Sequence, residues 1–483
     1  MMTRDVEVLV IRSFRSCLGP IAFVRRMERV TRPVDARSLA AIRQRWNDLP
    51  ERVRTPGQTL GRVGVGCEGT HGVFPRCNFA CKPCYHSADA NRVRVDGAHT
   101  VAQVEAQMAM FEAERSNFAH AQLIGGEVSL LEPEDHAAAL LAMRRHGREP
   151  MSFTHGDFDY EYLRDLAVDQ TGRRRFARIS FAGHFDATMV GRRGLRRTSD
   201  EAEIDPFRAR FCAMFGRLRR EQGVRSYLAH NMTVTPANVS QIPGVIRRCH
   251  RMGFSLFSFQ PAAHVGDERR WNDDFRSLDA DAVWAQIEAG AGARLPYHLF
   301  EVGDTRCNRS AWGLYLGDRW FSLLDESDAK DLVVRDATLR YFSGFALTGP
   351  GHLVAIRIVR LIAAHPQIVP LALGWAGRMT RRVGVLSLLR HRPRLVTFVM
   401  HRFMHAEDVA PAWEGLERGE MSDVPRIRET QERLQACSYA MAHPETGRIV
   451  PACVQHSVLD PAENRQLLQL LPISRSAKRR ADP

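Results

Sequence analysis

Between residues 100 and 260 the chain alternates amphipathic stretches with short apolar runs. Thr100 and Gln103 form a capping box for a helix running to about Ser116, and residues 121–124 then read as a short buried strand. The unit recurs, with helices predicted at 134–145, 160–168, 207–221 and 242–252 and strands at 151–154, 177–182, 227–234 and 254–259. Strands that alternate with helices in this way imply a parallel sheet with right-handed crossovers. The count suits an α/β fold, a partial (β/α) barrel of about six repeats. Upstream, a helix over 39–46 capped by Asp35 or Ser38 and a Pro/Gly-rich approach through Pro56, Gly57, Gly61 and Gly66 read as a cap on that barrel.

Beyond His264 the alternation weakens. A helix is predicted at 277–292, followed by a strand pair within 302–323 around Cys307 that turns at Gly317-Asp318. Residues 353–360 carry apolar and arginine positions at helical spacing, 368–375 form an apolar run, and 386–389 and 395–400 continue it. None of these runs is long enough to span a bilayer. They read as a helical subdomain closing over the barrel, with a membrane-lying surface as the other reading, and either suits an apolar substrate. The organisation expected is a cap (1–66), a barrel (67–300), an accessory region (301–473) and a basic, disordered tail (474–483).

A chain of 483 residues that is 44% hydrophobic is long enough for one large core plus an accessory region. Its ten cysteines show no disulfide framework, which suits a reducing cytoplasm. The apolar stretch 6–11, broken by Arg12, is too short for a signal peptide or a spanning helix. The formal net charge of +13 raises nucleic acid as a partner. Almost all of that charge is arginine, however, with Lys82, Lys330 and Lys478 the only lysines, and the arginines at 173–175, 192–193 and 196–197 have little aromatic interleaving. An anionic membrane surface attracts arginine equally well.

The sharpest chemical demand comes from Cys77, Cys81 and Cys84, three thiols at spacing C-x3-C-x2-C. A structural zinc site wants four ligands, usually as two C-x2-C knuckles, and no second knuckle is near. Three thiolates on a cubane four-iron cluster leave one iron open. A zinc or nucleic-acid-binding protein is the rival from another class, with His86 completing a Cys3His set and His71 and Cys67 further back. Gly125-Gly126-Glu127 follows the predicted strand at 121–124, at the C-terminal end where a parallel barrel places its active site. Other strand ends carry His155 and Asp157, Ser180 with His184 and Asp186, Asn231 with Thr233 and Thr235, and Gln260. His184 and Asp186 are the pair expected to face the substrate. The remaining cysteines of interest are Cys67, Cys307, Cys437 and Cys453, which are inert buried residues or the ligands of a second cluster if the fold gathers them. Cys17, Cys212 and Cys249 read as packing residues.

The cysteine loop with the following GGE resembles the radical SAM superfamily. That resemblance implies a partial (β/α)6 barrel and a 4Fe-4S cluster on Cys77, Cys81 and Cys84 whose open iron chelates S-adenosylmethionine. It further implies reductive cleavage to a 5'-deoxyadenosyl radical, and an electron donor of ferredoxin or flavodoxin type. Gly125, Gly126 and Glu127 would bear on the cofactor, with Tyr85 as a further cofactor-binding candidate. The position before the last cysteine, usually aromatic in the family, is Pro83, and Tyr85 is the aromatic residue next to the loop. The stretches Phe403-Met404-His405, Cys437 and Gly447-Arg448-Ile449-Val450-Pro451-Ala452-Cys453 are similar to the tail of the tetraether lipid synthase branch, which implies a long hydrocarbon substrate. The further cysteine pairs of that branch are missing here. Peptide- and RNA-modifying enzymes of the superfamily are the alternatives.

Overall fold

The structure is a computed structural model describing residues 24, 27–28, 30–115, 119–272, 275, 278–347, 349 and 351–473. The stretch 6–11, Cys17 and the tail from 474 lie outside the described residues.

Eleven strands form one sheet in the order β11-β10-β1-β2-β3-β4-β5-β6-β9-β7-β8. They are β1 (Cys67–Gly69), β2 (His120–Leu123), β3 (Glu149–Thr154), β4 (Arg178–His184), β5 (Arg225–Val234), β6 (Leu256–Pro261), β7 (Asn308–Leu316), β8 (Arg319–Ser322), β9 (Arg394–His401), β10 (Tyr439–His443) and β11 (Arg448–Pro451). β1 to β6 pair in parallel, in chain order. Crossover helices α2 (Gly97–Arg115), α3 (Pro133–Arg145), α4 (Tyr160–Ala167) and α5 (Asp205–Gln222) join β1 through β5, and α6 (Ile242–Cys249) leads into β6; α1 (Ala36–Asp48) precedes the sheet. The helices form where apolar residues recur at helical spacing: Leu163, Leu166 and Ala167 of α4 are buried, and so are Phe211, Met214, Phe215 and Leu218 of α5. Start signals are local. Asp35 accepts the Ser38 N–H ahead of α1, and Asp96, not Thr100, caps α2 by accepting the His99 N–H at 3.0 Å, since Thr100 lies inside the helix and its hydroxyl donates to Val73 O.

The parallel run does not stop at six strands. β9 adds to β6 and β10 adds to β1, both in parallel, while β11 and the β7–β8 hairpin close the two ends antiparallel. Eight parallel strands therefore replace the expected six, because two short apolar runs from beyond residue 300 return to the sheet. The sheet is curled and open: one cavity is lined by residues from β1 to β7, β9 and β10.

α7 (Ala280–Ala291) precedes β7, α8 (Ala329–Tyr341) follows β8, and α11 (Val385–Arg390), α12 (Ala406–Glu417), α13 (Pro425–Gln435) and α14 (Ala452–Val454) come later in the chain. The two helices after α8 correct a second expectation. α10 (Ile368–Val383) packs Met379 and Val383 against Leu316 of β7, on the sheet's outer edge, and α9 (Gly351–Ala364) donates from Arg357 to Val30 O. Neither closes over the barrel. That role falls to 401–404, Arg433, 437–439, 452–453 and His456, which line the inner cavity.

Candidate active site

Two adjoining cavities lie along the C-terminal ends and the concave face of the parallel strands. The outer one, of about 150 Å³, is lined by Cys77, Cys81 and Cys84 together with Gly125, Gly126, His155, His184 and Arg270. The three thiols thus share one wall. Burial pushes Cys77 up to about 12, and Cys81 is driven well above its ordinary value by burial and by neighbouring Cys84, Asp186 and Cys77. Their ligand atoms do not crowd round one point as those of a mononuclear site would; among the described residues such a gathering occurs only at His71, His443 and Glu463. Cubane thiolates each hold a different iron, so convergence on a point is not what a cluster needs.

The loop is braced from several sides. Asn78 accepts a hydrogen bond from His155 Nε2 at 2.8 Å, and the Asp157 N–H donates to His155 Nδ1, which fixes the ring as the neutral Nε2–H tautomer. Burial lowers the His155 pKa, in keeping with that state, and its ring stacks on Phe79 at 3.9 Å. From across the cavity mouth, Val190 O and Thr188 O accept the Ala80 and Lys82 N–H groups.

Gly125 and Gly126 run against the segment that leads into the cysteine loop: Gly126 N–H donates to Phe74 O at 2.7 Å and Glu127 N–H to Arg76 O at 3.0 Å. A Cβ on Gly126 would stand 2.1 Å from Arg76 O, and one on Gly125 2.3 Å from the Phe74 ring. Glycine is required at both positions by this close approach. Glu127 is buried, and its carboxylate accepts from Thr154 Oγ1 (2.6 Å), the His155 N–H (2.8 Å) and the Ser129 N–H (2.9 Å), so it ties β3 to the turn.

Tyr85 stands between the cavities. Its hydroxyl donates to Gly125 O at 2.9 Å and its ring lies against His86 and His456. His86, a wall of the outer cavity, has both ring nitrogens buried without a hydrogen-bond partner among the described residues, and burial lowers its pKa to about 4. The Asp460 carboxylate and the backbone of Gly125 favour its charged form, and burial outweighs them. His184 Nε2 lies 2.9 Å from both Asp186 Oδ2 and Thr233 Oγ1 and lines both cavities. Burial would raise the Asp186 carboxyl, but hydrogen bonding with His184, the His184 charge, and the Thr188 hydroxyl and Thr233 N–H outweigh it and hold it low. Asp186 thus positions His184 from behind.

The inner cavity, of about 200 Å³, brings together Cys67, Cys307, Cys437 and Cys453, which come from β1, the residue before β7 and the two sides of the β10–β11 hairpin. Apolar side chains of Ile124, Met151, Phe153, Leu256 and Met404 form much of the rest. Arg433 Nε donates to Cys307 Sγ at 3.1 Å, while Arg433 Nη2, the Tyr439 hydroxyl and Asn231 Nδ2, all on this cavity, are buried without partners among the described residues. Burial pushes Cys67 up to about 11 and raises Cys437 and Cys453.

No family model matches the chain, and no curated protein does. Among solved structures it is similar over part of its length to SuiB of Streptococcus suis, at 12% identity and TM-score 0.27 over 41% of this chain and 40% of that one. It is also similar to native anSMEcpe with bound AdoMet, at 15% identity and TM-score 0.30 over 46% of this chain and 57% of that one. The chain thus spans about half the length of the solved proteins it matches.

Of the other strand-end residues, Gln260 and Thr233 line the outer cavity, Asn231 the inner one, and Ser180 neither of these two. Thr235 accounts for itself by bonding Asn238, and Asp157 by pairing with Arg193. Arg270 and His456 were not legible: no spacing links Arg270 to the cysteine loop, and His456 belongs to a turn of π-helix, 455–459, after Cys453.

Proposed function

We propose that the chain is a radical SAM enzyme acting on a long apolar chain. The observation that carries this is the placing of the three C-x3-C-x2-C thiols and the Gly125-Gly126 turn on one cavity at the C-terminal strand ends. The donor set fits a cubane cluster, with Cys77, Cys81 and Cys84 as its ligands and one iron left for S-adenosylmethionine. When bound, these groups supply one-electron chemistry able to abstract hydrogen from an unactivated carbon. The chain's own residues position and shield. Arg270, on the cavity wall, offers a fork suited to a carboxylate. Tyr85 and Phe403 separate the cluster side from the inner cavity, and His184 presents an imidazole to both. The apolar lining of the inner cavity supports a hydrocarbon substrate over a peptide or an RNA.

Cys67, Cys307, Cys437 and Cys453 share the inner cavity, and on this reading they hold a second iron-sulfur cluster. Wild-type protein reconstituted under anaerobic conditions is expected to carry about eight irons, falling to about four in the Cys437→Ala, Cys453→Ala double variant. Four irons in both would leave the inner cavity free of metal and wholly available to substrate. No iron or labile sulfide in either would refute the enzyme itself. A ferredoxin- or flavodoxin-type protein in the reducing cytoplasm supplies the electron.

The outer-edge helices support access to a lipid surface. Leu373, Leu386 and Leu389 are 69%, 66% and 78% exposed, beside exposed Arg381, Arg390 and Arg392. Apolar side chains ringed by arginine suit an anionic bilayer, where each cation near the surface contributes about 1 kcal/mol. No single helix among the described residues is long and apolar enough to cross a membrane. Flotation with vesicles containing phosphatidylserine is expected to recover the protein, and Leu386→Glu with Leu389→Glu to reduce recovery at least about fivefold. Equal recovery of the two proteins would refute the surface.

A further inference from the structure

On the other side of the Tyr85–His456 contact, three Lewis bases converge that the enzyme reading leaves unused. β1 and β10 pair in parallel with Gly69 opposite Met441, so His71 and His443, each two residues further on, come to lie side by side at the strand ends. Their rings stack at 4.0 Å. Helix α15 (Asp460–Leu470) brings Glu463 to the same place, and the ligand atoms of all three lie within 4.8 Å of one another.

The hydrogen bonds around these side chains settle which nitrogen is free. His71 Nε2 lies 2.8 Å from Ala442 O, an acceptor only, so Nε2 carries the proton. His443 Nε2 lies 2.6 Å from Gln455 Oε1. The Gln455 amide cannot be turned round, because its nitrogen donates to both Asp460 Oδ1 and Glu463 Oε2 at 2.9 Å. His443 Nε2 is therefore protonated as well. In the neutral ring each histidine then turns the lone pair of Nδ1 toward Glu463, at 2.9 Å from Oε2 for His71 and 3.5 Å from Oε1 for His443. Glu445, on the rim, lies 3.2 Å from His443 Nδ1. Two lone pairs facing a carboxylate repel it unless a cation, either a proton on one Nδ1 or a metal ion, lies between them. Two imidazolium rings stacked at this distance would repel each other, so at most one of them carries the extra proton that a metal ion would displace.

We propose that His71, His443 and Glu463 bind a divalent transition-metal cation of the zinc class. Imidazole nitrogens and a carboxylate are the donors zinc takes, and a ligating histidine typically donates its second N–H to a carbonyl or carboxylate, as both do here. The Glu463 side chain is 22% exposed, which leaves a path for the ion and room for a water as fourth ligand. The site ties helix 460–470 to the ends of β1 and β10. Asp460, at the start of that helix, holds His456 at 2.8 Å, and His456 lies against Tyr85 in the cavity wall. The cation clamps that wall and takes no part in the chemistry at the cysteine loop.

The test uses the full chain, reconstituted with iron and sulfide and then equilibrated with zinc chloride and desalted. Metal analysis is expected to find about one zinc per chain with only nitrogen and oxygen neighbours in its X-ray absorption spectrum. Glu463→Gln is expected to weaken zinc roughly 10–100-fold, and His443→Ala to remove it, with the iron content unchanged. Wild-type protein with iron but without zinc would overturn the proposal in favour of a protonated ion-pair network. So would zinc with sulfur neighbours, or zinc retained equally by the isosteric Glu463→Gln variant, which keeps the side-chain volume should His443→Ala fail to fold. Zinc here and iron at the cysteine loop are counted separately, so either reading can fail alone.

Discussion

Changing any one of Cys77, Cys81 or Cys84 to alanine is expected to reduce 5'-deoxyadenosine formation to below about a thousandth of the parent rate, more than about 4 kcal/mol of lost barrier reduction. The size follows from how the ligands are used. A cubane held by three thiolates has no spare protein ligand, so the loss of one opens a second iron to solvent and favours loss of the cluster. His86, two residues after Cys84, lines the same cavity, but a single neutral imidazole in place of a thiolate removes a negative charge from the cluster's ligand set. The reading is checked by anaerobic chromatography of the nucleoside product alongside an iron count. A variant that keeps both iron and product would remove the cysteine loop from the mechanism. A variant that keeps iron but loses product would leave the cluster in place and move the defect to how S-adenosylmethionine is held.

Much of this arrangement was legible because it is local. Each crossover unit from β2 to β6 is written within a few dozen residues as an apolar run, a turn and an amphipathic stretch, whereas β1, only Cys67-Glu68-Gly69, carries no such run. The turn at Gly317-Asp318 likewise announced the β7–β8 hairpin, with Gly317 at φ 61°. What escaped was non-local. Residues 395–400 look the same as a strand or as a buried helical segment, since a short apolar run carries no period of its own, and only pairing with β6 makes them β9. β10 joins β1 across most of the chain, so nothing near Cys67 signals that Cys437 will stand beside it. The same separation hid His71, His443 and Glu463 as a group. The apolar positions of α9 and α10 were legible as hydrophobic but not as exposed, because a periodicity shows that a face exists and not what covers it.

The other large effect is expected far from any metal, at Arg208. Its guanidinium is fully buried on α5 and donates to Glu201 Oε2 (2.6 Å), Glu201 O, Asp205 and Phe185 O. Glu201 in turn accepts the Ala187 N–H at 2.8 Å. Thr188 and Val190, in the segment so held, are the residues whose carbonyls brace the cysteine loop. Arg208→Met would leave Glu201 as a buried carboxylate without its partner, and a loss of about 3–5 kcal/mol is expected in denaturant unfolding at neutral pH. Burial and the nearby Asp186 already raise the Glu201 carboxyl above its ordinary value despite Arg208. With the guanidinium gone the rise grows, and a carboxyl with a raised folded-state pKa is most stable in its protonated form. The variant should therefore lose stability as pH rises through that raised value and regain part of it on acidification toward the ordinary carboxylate range. Replacing both partners, as Arg208→Met with Glu201→Leu, removes the stranded charge and should recover much of the loss. If the single variant were as stable as the parent, or the double variant no better than the single, Arg208 would not be what holds the loop's support in place.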